Sequence, residues 1–194
     1  KRNTDPRRFN AIYGGQFERM QGLVYDCFDQ DLNIIDPVTL PVGTQYYGGV
    51  DWGFTDPFVI KIRAITPDGF HYSISEFYKP GCTLLDMIEV AELKREVYNI
   101  KMFYCDPSQP GYIEEFCRHG IPAKGANNDI RTGIDLHYEL IKTGKFKEFK
   151  GASPHTLDEY ETYHWPEPKD LMPDQDAKLE KPVDQNNHCM DAER

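Results

Sequence analysis

The sequence contains no cysteine pair spaced as CxxC, no apolar run near the roughly 18 residues a membrane helix needs, and no excess of basic charge. Its five cysteines, Cys27, Cys82, Cys105, Cys117 and Cys189, are odd in number and widely spaced. That pattern excludes a zinc knuckle and a disulfide framework, and it points to a reduced, intracellular setting. Cys105 sits in an apolar run and reads as a small buried hydrophobe. No signal-peptide pattern opens the chain, and no internal repeat recurs along it. A GxxxxGK[ST] phosphate loop is also missing: Gly144-Lys145 is followed by Phe146, and position 139 is glutamate. ATP hydrolysis by this chain is therefore not expected.

What is present is an ordinary globular composition, with 39% hydrophobic and 28% charged residues over 194 positions. That length supports one domain, or one and a small appendage. The chain opens at Lys1 without a methionine and stops at Arg194 inside a patterned segment, so a longer parent protein is expected. Thirty-two acidic residues against 22 basic ones give a net charge of -10, which argues against a simple electrostatic nucleic-acid binder. The excess is local, however. Residues 151–194 hold 11 acidic and 4 basic side chains, while residues 142–150 place Lys142, Lys145, Lys147 and Lys150 beside the single acid Glu148. A lysine block of this kind reads first as solvated surface.

Residues 5–17 suggest a short capped helix stopped by Gly14-Gly15, and residues 22–28 have a strand-like pattern. Residues 31–43 read as a proline-containing loop. Residues 46–53, 57–65 and 69–77 predict three consecutive antiparallel strands, the last two joined by the turn Pro67-Asp68-Gly69. A helix is predicted over 83–98, with Thr83 and Asp86 placed as a capping box. Residues 100–105 form a short apolar strand, 111–119 and 128–143 two further helices. Residues 156–165 are aromatic-rich and fit helix or strand equally. Residues 166–182 resemble an exposed loop or hairpin tip, and 187–194 begin a last helix. The order predicts a mixed α/β sheet with three antiparallel strands followed by alternating helices and strands, helices on both faces.

Three aspartates stand at distinctive places. Asp51 ends a central strand just before Gly53, Asp106 ends the apolar strand just before Pro107, and Asp191 follows His188 by three residues on the last helix. Two carboxylates from strand ends and one from a helix can converge at one sheet edge. Converging carboxylates repel unless a cation neutralises them, so the pattern calls for a hard divalent ion such as Mg²⁺ or Mn²⁺. Each aspartate taken singly is equally consistent with turn chemistry or a solvated helix face. Asp56 reads as a turn residue before it reads as a ligand, and His188 fits helix-start packing or a helper role alike.

The segments Gly48-Gly49-Val50-Asp51-Trp52-Gly53, Phe103-Tyr104-Cys105-Asp106-Pro107-Ser108 and Asn186-Asn187-His188-Cys189-Met190-Asp191-Ala192-Glu193-Arg194 occur in this order. Together they resemble the nuclease domain of the large terminase subunit of tailed bacteriophages, a ribonuclease H-like fold. The resemblance covers essentially the whole chain. Residues 1–20 look like the end of an interdomain linker and 21–194 like the nuclease domain, with the family's N-terminal packaging ATPase lying outside this sequence.

The resemblance implies a metal-dependent endonuclease that cuts concatemeric double-stranded DNA, with Asp51, Asp106 and Asp191 holding two Mg²⁺ or Mn²⁺ ions and His188 and Asp56 as helpers. It also implies work in the host cell cytoplasm during virus assembly, contact with the small terminase subunit and the portal through the full-length protein, no membrane, and a monomeric isolated domain. A hairpin formed by Trp165 and residues 166–182 would border the cleft and influence access to the site; Tyr163 and Trp165 read otherwise as plain strand aromatics. Lys124, Arg131, Lys142, Lys145, Lys147 and Lys150 are candidates for phosphate contacts. Two other readings stay open: another ribonuclease H-like nuclease, such as a junction resolvase or an exonuclease, and a non-catalytic docking module of the packaging machine.

Overall fold

The computed structural model describes residues 22–166 and 181–194. The helix expected over 5–17 and most of the hairpin expected over 166–182 lie outside the described residues. The chain order is α1 (Gln30–Asn33), β1 (Ile34–Ile35), β2 (Gln45–Asp51), β3 (Phe58–Ile65), β4 (His71–Lys79), α2 (Leu84–Tyr98), β5 (Met102–Cys105), α3 (Pro110–Arg118), β6 (Ala123–Gly125), α4 (Ile130–Lys142), β7 (Phe146–Phe149), α5 (Pro154–Thr162) and α6 (His188–Glu193).

The sheet has seven strands in the order β1-β7-β4-β3-β2-β5-β6. The β2–β3 and β3–β4 pairs are antiparallel, and every other pair is parallel. The mixed α/β sheet expected from the sequence is thus present. Strand β3 is its spine. Phe58, Ile60 and Ile62 point to one face, and Val59, Lys61 and Arg63 to the other. The first face packs against α2 and α3 through Met87, Ile88, Ala91 and Phe116. The second packs against α4, α5 and α6 through Ile134, Ile141, Tyr160, Cys189 and Met190.

Local chemistry explains several boundaries. The Thr83 hydroxyl accepts from the Asp86 amide at 3.3 Å while the Asp86 carboxylate accepts from the Thr83 amide at 2.7 Å, the reciprocal bonds of a capping box. Pro110 and Pro154 open α3 and α5 in the first turn, where no amide donor is missed. The second of these proline starts resolves the ambiguous aromatic segment as a helix that stops at Thr162.

Residues 22–28 are not the strand expected. Only Leu23 makes a bridge, to His164, and Val24 and Tyr25 turn inward to fill the second core instead. The expected loop over 31–43 begins with α1 and β1, because the Asp29 carboxylate caps the amides of Asp31 and Leu32. The lysine block hides strand β7, in which Phe146 and Glu148 are buried while Lys147 and Phe149 are half-buried. Strand β6 adds three residues to the far edge of the sheet. No helix among the described residues is long and apolar enough to cross a membrane.

A candidate acidic site at adjacent strand ends

Asp51 and Asp106 are brought together by the β2–β5 pairing, in which Val50 lies opposite Cys105 and the Asp106 amide donates to the Val50 carbonyl at 2.9 Å. Parallel strands end side by side, so both carboxylates emerge at one sheet edge. The Trp52 indole fastens this edge by donating to the Asp106 carbonyl at 2.8 Å. Asp106 is held in turn by Ser108, whose amide donates to Oδ1 at 3.1 Å and whose hydroxyl donates to Oδ2 at 2.5 Å.

Asp191 comes from α6, which lies across β2 and β3. A glycine makes this approach possible. A Cβ built on Gly49 would stand 1.8 Å from the Ala192 carbonyl oxygen, so no larger residue fits beneath the helix. On the opposite face, a Cβ on Gly48 would stand 2.3 Å from the Phe103 ring. The Gly48-Gly49 pair therefore admits the Phe103 ring on one side and the acid-bearing helix on the other.

The position of α6 is fixed by buried charge. The Glu159 carboxylate accepts from the Met190 amide at 3.0 Å, and Arg63 donates to both the side chain and the backbone carbonyl of Glu193 at 2.6 Å. Lys61, 1% exposed, donates to the hydroxyls of Ser153 and Thr156 at 2.7 Å. Its ammonium lies 3.6 Å from Glu148, 3.6 Å from Glu193 and 3.9 Å from Glu76. Burial pushes the Glu148 carboxyl above its ordinary range, whereas the Arg63 and Lys61 charges outweigh burial at Glu193 and hold it low. The cluster thus sets two cations, Lys61 and Arg63, among the carboxylates of Glu76, Glu148 and Glu193.

A cavity of about 510 Å³ is lined by Asp51, Asp106 and Asp191 together, with Asn187, Asp184 and Lys181 also in its lining. The three aspartates singled out in the sequence thus share one depression. Asp51 is driven up by burial, opposed by its 3.0 Å contact with His188 Nδ1 and reinforced by the Asp106 charge. Asp191 is pushed up to about 7 by burial, opposed by Arg194 and reinforced by Asp51 and Asp184. His188 is raised by its bond to Asp51. Among the described residues no three acids, histidines or cysteines stand within reach of one ion. Asp51 is turned to His188, and Asp191 pairs with Arg194 at 3.1 Å and accepts from the Asn187 amide group at 3.2 Å. The donor set nevertheless fits a hard divalent cation: the Asp51 and Asp191 carboxylates, raised in proton affinity by burial, already lean on His188 and Arg194, and the Asp106 carboxylate lines the same cavity.

The other sequence candidates are distributed differently. Asp56 is exposed and outside the cavity lining, although its charge reaches His188. Lys147 lies on β7 and Lys145 and Lys150 flank it, separated from β2 by β4 and β3. The Lys147 ammonium donates to the Leu32 carbonyl at 2.8 Å, and the Lys142 ammonium stands 5.7 Å from the Tyr138 ring centroid. Arg131 lies in the first turn of α4, between lining residues Ile130 and Thr132. Lys124 is exposed on β6, next to the Tyr104 ring. Tyr163 lines the acidic cavity and Trp165 is buried in the second core. Lys181, Asp184, Asn187 and Arg194 are lining residues that the sequence reading passed over; the three-residue spacing of Asp191 and Arg194 on a helix was the available signal.

No protein-family model and no curated protein sequence matches the chain. Solved structures do. The large terminase of a thermophilic bacteriophage superposes with a TM-score of 0.78 at 25% identity, over 95% of this chain and 49% of that one. The nuclease domain of the P22 large terminase gives 0.70 at 15% identity, covering 88% of each chain. The large terminase nuclease domain of bacteriophage SPP1, solved with bound Mn, gives 0.63 at 17% identity, over 88% of this chain and 95% of that one. The chain spans about half the length of the thermophilic phage protein. The resemblance first carried by three short motifs extends to the whole described fold, which is that of a large terminase nuclease domain.

Proposed function

We propose that the chain is the divalent-metal-dependent endonuclease part of a phage DNA-packaging motor, hydrolysing phosphodiester bonds of concatemeric double-stranded DNA. The observation that carries this reading is the meeting of Asp51, Asp106 and Asp191 around one cavity at the ends of two neighbouring parallel strands. The likeness to terminase nuclease domains, one of them solved with Mn, supports it.

Asp51, Asp106 and Asp191 are the groups that would hold two Mg²⁺ or Mn²⁺ ions. When bound, such ions supply an activated water and stabilise the leaving oxygen. The chain contributes the framework. The Gly49 contact and the Arg63–Glu193 pair set the position of Asp191, Ser108 orients Asp106, and His188 holds Asp51 through its Nδ1. Arg194 keeps Asp191 charge-compensated at the cavity wall. Water delivers its oxygen to phosphorus, the sugar oxygen departs, and no covalent enzyme intermediate is required. In the whole protein this domain would act in the host cytoplasm alongside the packaging ATPase, the small terminase subunit and the portal.

Closed circular plasmid DNA incubated with Mn²⁺ or Mg²⁺ tests the reading. Conversion to nicked and linear forms is expected, with Asp106→Ala slower by orders of magnitude. Parent-like cleavage by Asp106→Ala would refute the site. A strict need for a free end or a branch would refute the packaging-endonuclease reading in favour of an exonuclease or a junction resolvase.

A further inference from the structure

The second face of the sheet is covered over β3, β4, β7 and the Gly49 end of β2 by α4, α5 and α6, but beyond that helix Tyr104 on β5 and Lys124 on β6 are exposed among the described residues. Tyr47 on β2, Tyr104 on β5 and Lys124 on β6 share that face. The two tyrosine rings stand 6.0 Å apart at 55°, and the Lys124 ammonium lies 4.8 Å from the Tyr104 ring centroid. Tyr104 is 38% exposed, an unusual place for a large ring on a central parallel strand.

Tyr104 also lines two depressions at once. One is the acidic cavity. The other, of about 370 Å³, contains Tyr47, Arg63 and Arg194. The two share Gly49, Tyr104, Ala192 and Arg194 and so run together across the end of α6. Acids lie at one end; at the other lie the Tyr47 and Tyr104 rings with the exposed Lys124 beside them, while Arg63 and Arg194 there are paired with Glu193 and Asp191.

We propose that this strip binds an unpaired stretch of the DNA strand leaving the acidic cavity, a base stacking on Tyr104 while Lys124 contacts a phosphate. The inference rests on the nuclease reading for its ligand. Charge complementarity selects the occupant: a polyanion with flat apolar bases satisfies lysine and aromatic ring together, as in single-strand binding surfaces. Two residues of extended chain, about 6.6 Å, separate Tyr104 from Asp106. That corresponds to about two base steps of 3.4 Å, so the stacked base would lie close to the cut.

The test uses the 194-residue chain with EDTA, so that binding is read without cleavage. The probe is an oligonucleotide carrying 2-aminopurine, offered as a single strand, in a mismatched bubble and in a fully paired duplex. The parent should quench the probe and prefer the unpaired forms. Tyr104→Leu should lose the quenching and weaken single-strand binding at least fivefold, whereas Tyr104→Phe should retain both. Lys124→Gln should weaken binding of the single strand and the bubble and lower their salt slope by about 1. Parent-like quenching and affinity in Tyr104→Leu would overturn the proposal, as would equal binding of paired and unpaired DNA by the parent. Because no metal is needed, Tyr104-dependent binding in a protein that never cleaves with Mn²⁺ would sink the nuclease reading and leave this one standing. Normal cleavage without Tyr104-dependent binding would do the reverse.

Discussion

Replacing Gly49 by alanine asks whether the helix carrying Asp191 is positioned by its closest backbone contact. The new Cβ would begin 1.8 Å from the Ala192 carbonyl oxygen, and even a compressed contact of 3.0 Å requires a retreat of about 1.2 Å. The obstacle is backbone, so no side chain can rotate out of the way. Helix α6 is also tied at Met190 by Glu159 and at Glu193 by Arg63, so it moves as a unit and takes Asp191 with it. Overpacking of this kind costs about 1–3 kcal/mol, and a displacement near 1 Å in a catalytic group costs about 100-fold in rate. Thermal unfolding and initial rates of plasmid cleavage, the latter taken well below the melting temperature, separate the two effects. Gly111→Ala is the control. Its Cβ meets nothing within 4 Å and it lies inside α3, so cleavage should be unchanged and stability should rise slightly. Gly49→Ala with the parent's melting temperature and cleavage rate would refute the idea that this contact sets the site.

Two further outcomes follow from the buried polar layer. Lys61→Met removes the cation facing Glu76, Glu148 and Glu193 and should cost about 3–5 kcal/mol in urea unfolding; an unchanged midpoint would contradict the charge balance drawn above. His137 is 1% exposed, 2.5 Å from the Tyr160 hydroxyl, and lowered to about 3 by burial with the Arg63 charge adding to it. The unfolded chain therefore binds a proton that the folded one refuses between about pH 6.5 and pH 3. Stability should fall as pH drops through that window, by a few kcal/mol from this group, and His137→Gln should flatten the slope. A parent-like acid profile in that variant would show that His137 is not responsible.

How much was legible in the sequence follows from where the signals are local. The Thr83–Asp86 box, the Pro67-Asp68-Gly69 turn and Gly53 after Asp51 act through near neighbours, and their elements formed as expected. Asp51, Asp106 and Asp191 were legible as a set because each sits at an element end or on a face that order along the chain can place. The hidden parts depend on distant partners. Phe146-Lys147-Glu148-Phe149 reads as surface until Lys61, far away in sequence, supplies the counter-charge that lets Glu148 be buried. Ala123-Lys124-Gly125 has no strand pattern and joins the sheet through backbone pairing with β5. Val24 and Tyr25 carried the apolar signal of a strand, but a core on the far side of the sheet uses them as plugs. Arg194 is the exception: its three-residue spacing from Asp191 was a local signal of their pairing. The net charge of -10 also acquires a local meaning, since part of it surrounds a cavity that calls for cations.

The most direct test is a crystal structure of the chain soaked in Mn²⁺, read by anomalous scattering. Two peaks about 3.5–4 Å apart, ligated by Asp51, Asp106 and Asp191 with Arg194 drawn away from Asp191, are the predicted result. Manganese bound elsewhere, with Asp191 still paired to Arg194 and no peak in the acidic cavity, would contradict the account.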